Sequence, residues 1–140
     1  MVPVLIICQH RADAEEMTKQ VKSALKSKTK RSKYYSLLGA RKASAFVQQF
    51  AEFDDENKEM NWNAIVAAST EVFSDTNMRR ITVTDPYGGR GFDFDVRDKT
   101  ANNYGGMLVI ATTIPPGRDW IQWKGRTARG GNHILVLSLL

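Results

Sequence analysis

Apolar and polar positions in this chain switch between two periods, and the switching predicts the order of its elements. Residues 3–8 are a continuous apolar run, Pro3-Val4-Leu5-Ile6-Ile7-Cys8, as in a strand covered on both faces. Residues 12–26 then place Ala14, Met17, Val21, Ala24 and Leu25 on a helical stripe. Lys28 to Lys33 reads as a polar connection and Tyr34 to Leu38 as a second strand, ended by Gly39. Residues 41–52 return to the helical period through Ala45, Phe46, Phe50 and Ala51, and Asp54 to Lys58 reads as a charged loop. A further helix is expected over residues 62–73, through Trp62, Ile65, Val66 and Phe73. A short β-branched strand over 80–84 follows, then a buried strand from Met107 to Thr112 opened by Gly105-Gly106. Pro115-Pro116-Gly117 marks a turn. A short helix through Trp120 and Ile121 and a last strand from His133 complete the series. Strands alternating with helices predict the α/β class, with a mainly parallel sheet and helices on both of its faces. Ligands of such sheets bind at the carboxyl ends of strands, and the glycine-rich run after residues 80–84 lies at such an end.

Length and charge narrow this picture. The chain has 140 residues, enough for one domain with a proper core. Its single cysteine, Cys8, rules out a disulfide within the chain and fits a reducing compartment, the cytoplasm or an organellar stroma or matrix. No apolar run approaches the ~20 residues of a membrane span, and the N-terminus lacks a secretory pattern. The chain enters a strand at once and ends within one, as expected of a module excised from a longer protein. The formal net charge is +5, and Lys19, Lys22, Lys26, Lys28, Lys30, Arg31 and Lys33 hold much of the excess. Such a run is either a solvated helix end and loop or a surface for nucleic acid or another polyanion.

Candidate chemistry is concentrated in the last third. Gly88-Gly89-Arg90-Gly91-Phe92-Asp93 offers a turn open to close ligand approach, followed by a carboxylate that suits a ribose hydroxyl or an arginine. Packing alone is the competing explanation for these glycines. Further on, Gln122-Trp123-Lys124-Gly125-Arg126-Thr127-Ala128-Arg129-Gly130-Gly131 has the spacing Q-x-x-G-R-x-x-R-x-G. Two arginines three apart, behind Gly125, place two planar cations on one face of a helical turn, a way to clamp phosphate. Pairing with surface carboxylates is the ordinary alternative. Trp120 and Trp123 are expected in the core or beneath a neighbouring domain rather than stacked on a base. Asp54-Asp55-Glu56 follows no β-branched strand and reads as loop, and His10 and His133 are too isolated for a metal site. The run G-x-x-x-x-G-K-[ST] is absent, so the chain has no phosphate cradle of its own.

Taken in order, these segments resemble the second RecA-like domain of superfamily 2 helicases, and most closely that of the SecA preprotein-translocation ATPases. Leu5-Ile6-Ile7-Cys8-Gln9-His10-Arg11 resembles motif IV, and Thr84-Asp85 with Gly89-Arg90-Gly91-Phe92-Asp93 resembles motif V. Gly105-Gly106-Met107-Leu108-Val109-Ile110 resembles the G-G-L-x-V-I strand of SecA, and Gln122 to Gly131 resembles motif VI. The resemblance implies a RecA-like three-layer sandwich that completes an ATP site shared with a first RecA-like domain of the same parent chain. ATP and Mg2+ would then be bound only in the full-length protein, and this chain alone would be inactive. Arg126 and Arg129 would reach the γ-phosphate, and Asp93 would contact ribose or couple the domains. Gly89, Arg90 and Gly91 would form the interface turn, and Gln122 and Gly125 would support the nucleotide side. The substrate moved would be a polypeptide or a nucleic acid, or nothing in a degenerate binding module.

The departures from SecA are specific. Pro86-Tyr87 adds a residue before the glycines, Phe92 stands where SecA has threonine, and Asn132 replaces an aspartate after motif VI. His10 takes the place of a small hydroxyl residue, and residues 40–60 read as an inserted helix and charged loop.

Overall fold

In a computed structural model, residues 2–37, 44–50, 66–67, 69–70, 78–86, 88, 93–127 and 134–138 are described. Among these residues the elements follow in the order β1 (Val4–Ile7), α1 (Arg11–Leu37), β2 (Ser44–Phe50), β3 (Met78–Thr84), α2 (Lys99–Asn103), β4 (Met107–Ala111), α3 (Gly117–Thr127) and β5 (Ile134–Ser138). The strands form one sheet in the order β2-β3-β1-β4-β5. All four pairings are parallel, with Val4 opposite both Ile81 and Leu108, Ser44 opposite Met78, and Met107 opposite Ile134. The α/β class and the parallel sheet are therefore as expected.

The first strand lies at the centre of the sheet, which explains its unbroken apolar character. Val4, Ile6 and Cys8 point to one face and pack with Val83 of β3 and Ala14 of α1. Leu5 and Ile7 point to the other, where they meet Met107, Val109 and Ala111 of β4, together with Phe94, Val96, Ala101 and Trp123. Two separate cores result, one per face, as period-two alternation in a doubly covered sheet demands. Along the sheet the chain moves one way after β1 and the opposite way after β2, β3 and β4. Crossovers of a single hand must then use both faces. Accordingly α1 covers one face, while residues 93–103 and α3 cover the other.

Local chemistry explains most element ends. Asp13 accepts a hydrogen bond from the His10 backbone N–H at 3.1 Å, half of a capping box at the start of α1. Asp98 caps α2 by accepting from the Ala101 N–H at 2.6 Å. At the other end of α2, Gly106 N–H donates to the Ala101 carbonyl at 2.8 Å and Gly105 N–H to the Asn102 carbonyl at 3.1 Å. That pair of bonds is a Schellman motif, and both glycines have positive φ, 101° and 73°.

Two elements differ from the sequence reading. Residues 34–37 are not a strand but the last turn of α1, which runs unbroken through the lysine-rich stretch. No glycine or proline interrupts residues 11–37, and lysine and arginine are good helix formers, so polarity alone did not end the helix. Residues 44–50, read as a helix within an insertion, are β2, the edge strand bonded to β3 along seven register pairs. The sequence Ser-Ala-Phe-Val-Gln-Gln-Phe contains two β-favouring aromatics and a valine, and its alternation was masked by the spacing Ala45, Phe46, Phe50. Of the helix expected over 62–73, Val66, Ala67 and Ser69 are helical, and the loop expected over 54–58 lies outside the described residues. The α2 turn was not anticipated, although Asp98 ahead of Lys99-Thr100-Ala101 is a cap signal.

Candidate functional site

Two regions compete as a site, the carboxyl edge of the sheet and the face covered by α3. At the carboxyl edge, β1 and β4 are neighbours whose following segments leave in opposite directions. This is a topological switch point, the usual crevice for a ligand in an open α/β sheet. Its floor is tightly joined. Cys8 N–H donates to the Thr84 carbonyl at 2.8 Å, and Thr112 N–H donates to the Ile7 carbonyl at 3.0 Å. The Cys8 thiol is buried there. Burial pushes its pKa up, a hydrogen bond with Thr112 works against the shift, and the charges of Asp13 and Asp85 add to it. Asp85 also accepts from the Gly88 N–H at 3.4 Å, which draws the start of the glycine run back over the end of β3.

The other region lies on the face opposite α1. Asp93 is half-buried and is followed by Phe94 and Val96, which are among the most completely buried side chains. Trp123 of α3 enters the same cluster and is only 4% exposed. Trp120 packs against that cluster and meets Trp123 edge to face, with ring centroids 5.7 Å apart and planes at 75°. The tryptophans therefore belong to the core, as one of the two sequence readings had it. Their burial anchors α3 and brings the two motif-bearing segments onto one face. Gln122 beside Trp123 is half-buried and Gly125 is exposed. Arg126 lies in the last turn of α3, which ends at Thr127. The chain must return from the carboxyl edge of β4 to the amino edge of β5, so α3 carries Arg126 away from the switch-point crevice.

Among the expected site residues, the structure thus brings Asp93, Gln122, Gly125 and the backbone of Arg126 to one face of the sheet. Gly89, Arg90, Gly91 and Arg129 lie outside the described residues. One buried polar pair had no counterpart in the sequence reading. Thr82 Oγ1 and Ser69 Oγ are 3.0 Å apart, and both residues are fully buried. Their signal was a hydroxyl residue at alternate positions, Thr82 and Thr84, within an otherwise β-branched strand. Among the described residues no group of three or more His, Cys, Asp or Glu side chains could hold a metal ion. No described helix is long and apolar enough to cross a membrane. No protein-family model matches the sequence, and no curated protein matches it significantly.

Proposed function

We propose that this chain is the second RecA-like motor domain of a SecA-like, superfamily 2 ATP-dependent translocase or helicase. In that reading it lends arginines to an ATP site whose phosphate loop and magnesium carboxylates belong to a first RecA-like domain of the parent protein. The observation that carries the reading is the shared core of Phe94, Val96 and Trp123. It packs the segment opening on Asp93 and the helix leading into the arginine motif against one face of a parallel sheet. ATP supplies the phosphoryl bond that is broken. Arg126 and Arg129 offset the negative charge that develops on the transferred group, and they do so from across a cleft, so hydrolysis is tied to closure. Asp93 takes a ribose hydroxyl or couples the domains, and Gln122 and Gly125 border the nucleotide. Gly89, Arg90 and Gly91 form the turn at the domain boundary.

The Gly105-Gly106 pair, which pointed toward SecA, is also accounted for by the end of α2. The choice between polypeptide and nucleic acid as the moved substrate therefore falls to other parts of the surface.

Steady-state ATPase measurement on the parent protein tests the proposal. Arg129→Ala is expected to lower turnover by ~10³-fold or more, as loss of a finger arginine does. The 140-residue chain by itself is expected to hydrolyse no ATP, since it lacks the phosphate loop. Unchanged turnover in Arg129→Ala, or robust hydrolysis by the chain alone, overturns the assignment.

A further inference from the structure

The continuity of α1 changes the meaning of the lysine-rich stretch. From Met17 to Ala51 the chain has nine Lys and Arg residues and no Asp or Glu. A loop would scatter these charges, but α1 spans Arg11–Leu37 without a break. Helical period then aligns Lys19, Lys22, Lys26, Lys30 and Lys33, spaced 3, 4, 4 and 3 residues apart, along one line of the helix. The row is about 21 Å long at 1.5 Å per residue. Ser23 and Ser27 fall beside it by the same period and offer hydroxyl donors. Lys19 and Lys22 are exposed, whereas Ala14 and Thr18 are buried and Met17 and Val21 pack against the core beneath the sheet. Lys19 and Lys22 therefore flank the face by which α1 docks, and the helical period carries the positions of the row on from them.

We propose that this row binds the phosphate backbone of a single-stranded nucleic acid. Three features select that occupant. A membrane-surface helix inserts an apolar face below its basic one, but the apolar stripe of α1 is already used against the sheet. Protein interfaces are depleted in lysine at their centres and intersperse other residue types. A regular row of like charges, with hydroxyls beside it and no Asp or Glu from Lys19 to Lys33, instead matches a polymer with one phosphate per repeat. The site lies on the face of the sheet opposite the Asp93 and α3 region, so it stands whether or not the ATP reading holds.

The test is titration of a labelled oligouridylate with the full chain at about 50 and about 200 mM salt. Micromolar binding is expected, with a log–log salt slope near −3.5 if five phosphates are neutralised at about 0.7 each. The triple variant Lys22→Gln, Lys26→Gln, Lys30→Gln keeps good helix formers and is expected to bind at least ~10-fold more weakly, with the slope reduced by about 2. The corresponding triple Lys→Arg variant is expected to retain binding. A charge-matched control, Arg97→Gln, Lys99→Gln, Arg118→Gln, removes three exposed cations elsewhere and is expected to change affinity by less than ~3-fold. Absence of binding at low salt overturns the proposal. So does equal weakening in the control, which would mean diffuse net charge only. Binding of phosphatidylserine vesicles without binding of RNA would assign the row to a membrane instead.

Discussion

Two glycines in the last third of the chain carry opposite costs. Gly105 sits at φ 101°, a conformation in which any other L-residue is strained. Gly125 lies within α3 with no atom of the described residues within 4 Å of where a Cβ would be. Gly105→Ala is therefore expected to destabilise the fold by roughly 1–2 kcal/mol. Gly125→Ala is expected to stabilise it by about 0.5–1 kcal/mol, through helix propensity. Denaturant unfolding of the two variants checks both signs. The stabilising change has a second use, because a glycine kept at a cost in an exposed helix fits a surface that another body approaches. If the proposed ATP site holds, Gly125→Ala should lower turnover of the parent protein while it raises stability. Cys8 gives a further handle at this scale. Its raised pKa means that folding favours the neutral thiol. That contribution is fully present below the unfolded thiol's own pKa and is lost as pH rises through the higher folded value. Stability should accordingly fall in the alkaline range in the wild type and not in Cys8→Ala, and a thiol reagent should label native Cys8 far more slowly than the unfolded chain. None of this was legible in the sequence beyond the presence of one cysteine in an apolar run, because the position of Asp85 relative to Cys8 depends on the pairing of β1 with β3.

Among the elements, α1 is the one whose length matters most. Its 27 residues span about 40 Å, while the seven-residue strands of the sheet span about 23 Å. Its first part is held by the apolar stripe that the sequence displays openly, with Ala14, Met17 and Val21 against the sheet, and its remainder runs through good helix formers with no glycine or proline. Lys30→Pro separates a helix from a loop at this place. A proline in a helix interior is expected to cost about 3 kcal/mol and to reduce the helical circular dichroism signal, whereas in a polar connection it would change little. The strands were easier to read where burial on both faces removed ambiguity, as in Val4–Ile7 and Met107–Ala111. Ser44–Phe50 was harder. It is an edge strand with polar residues in its second half, and only its partner Met78–Thr84 makes it a strand. Asp98 and the two glycines of α2 follow local rules and were readable in principle, but a helix of five residues leaves no periodicity to draw attention to them.

For the whole molecule, the placement of chemistry follows from the order of the strands. The switch-point crevice between β1 and β4 is the default ligand site of such a sheet. The segment after Asp93 and the helix ending beyond Arg126 meet away from it, over one face. The sequence reading ties only the glycine-rich run to the carboxyl end of a strand. The structure moves Arg126 to the far end of a returning helix, a position fixed by a parallel connection and invisible in motif spacing.

The strand order has a last consequence, for folding. Both neighbours of β1 are made long after it, since Val4 pairs with Ile81 and with Leu108. In chain order the apolar strand Val4–Ile7 comes well before both of its neighbours, so it pairs on neither edge until Met78–Thr84 and then Met107–Ala111 follow. Such long-range pairing is expected to slow refolding of the full chain, which stopped-flow refolding would measure.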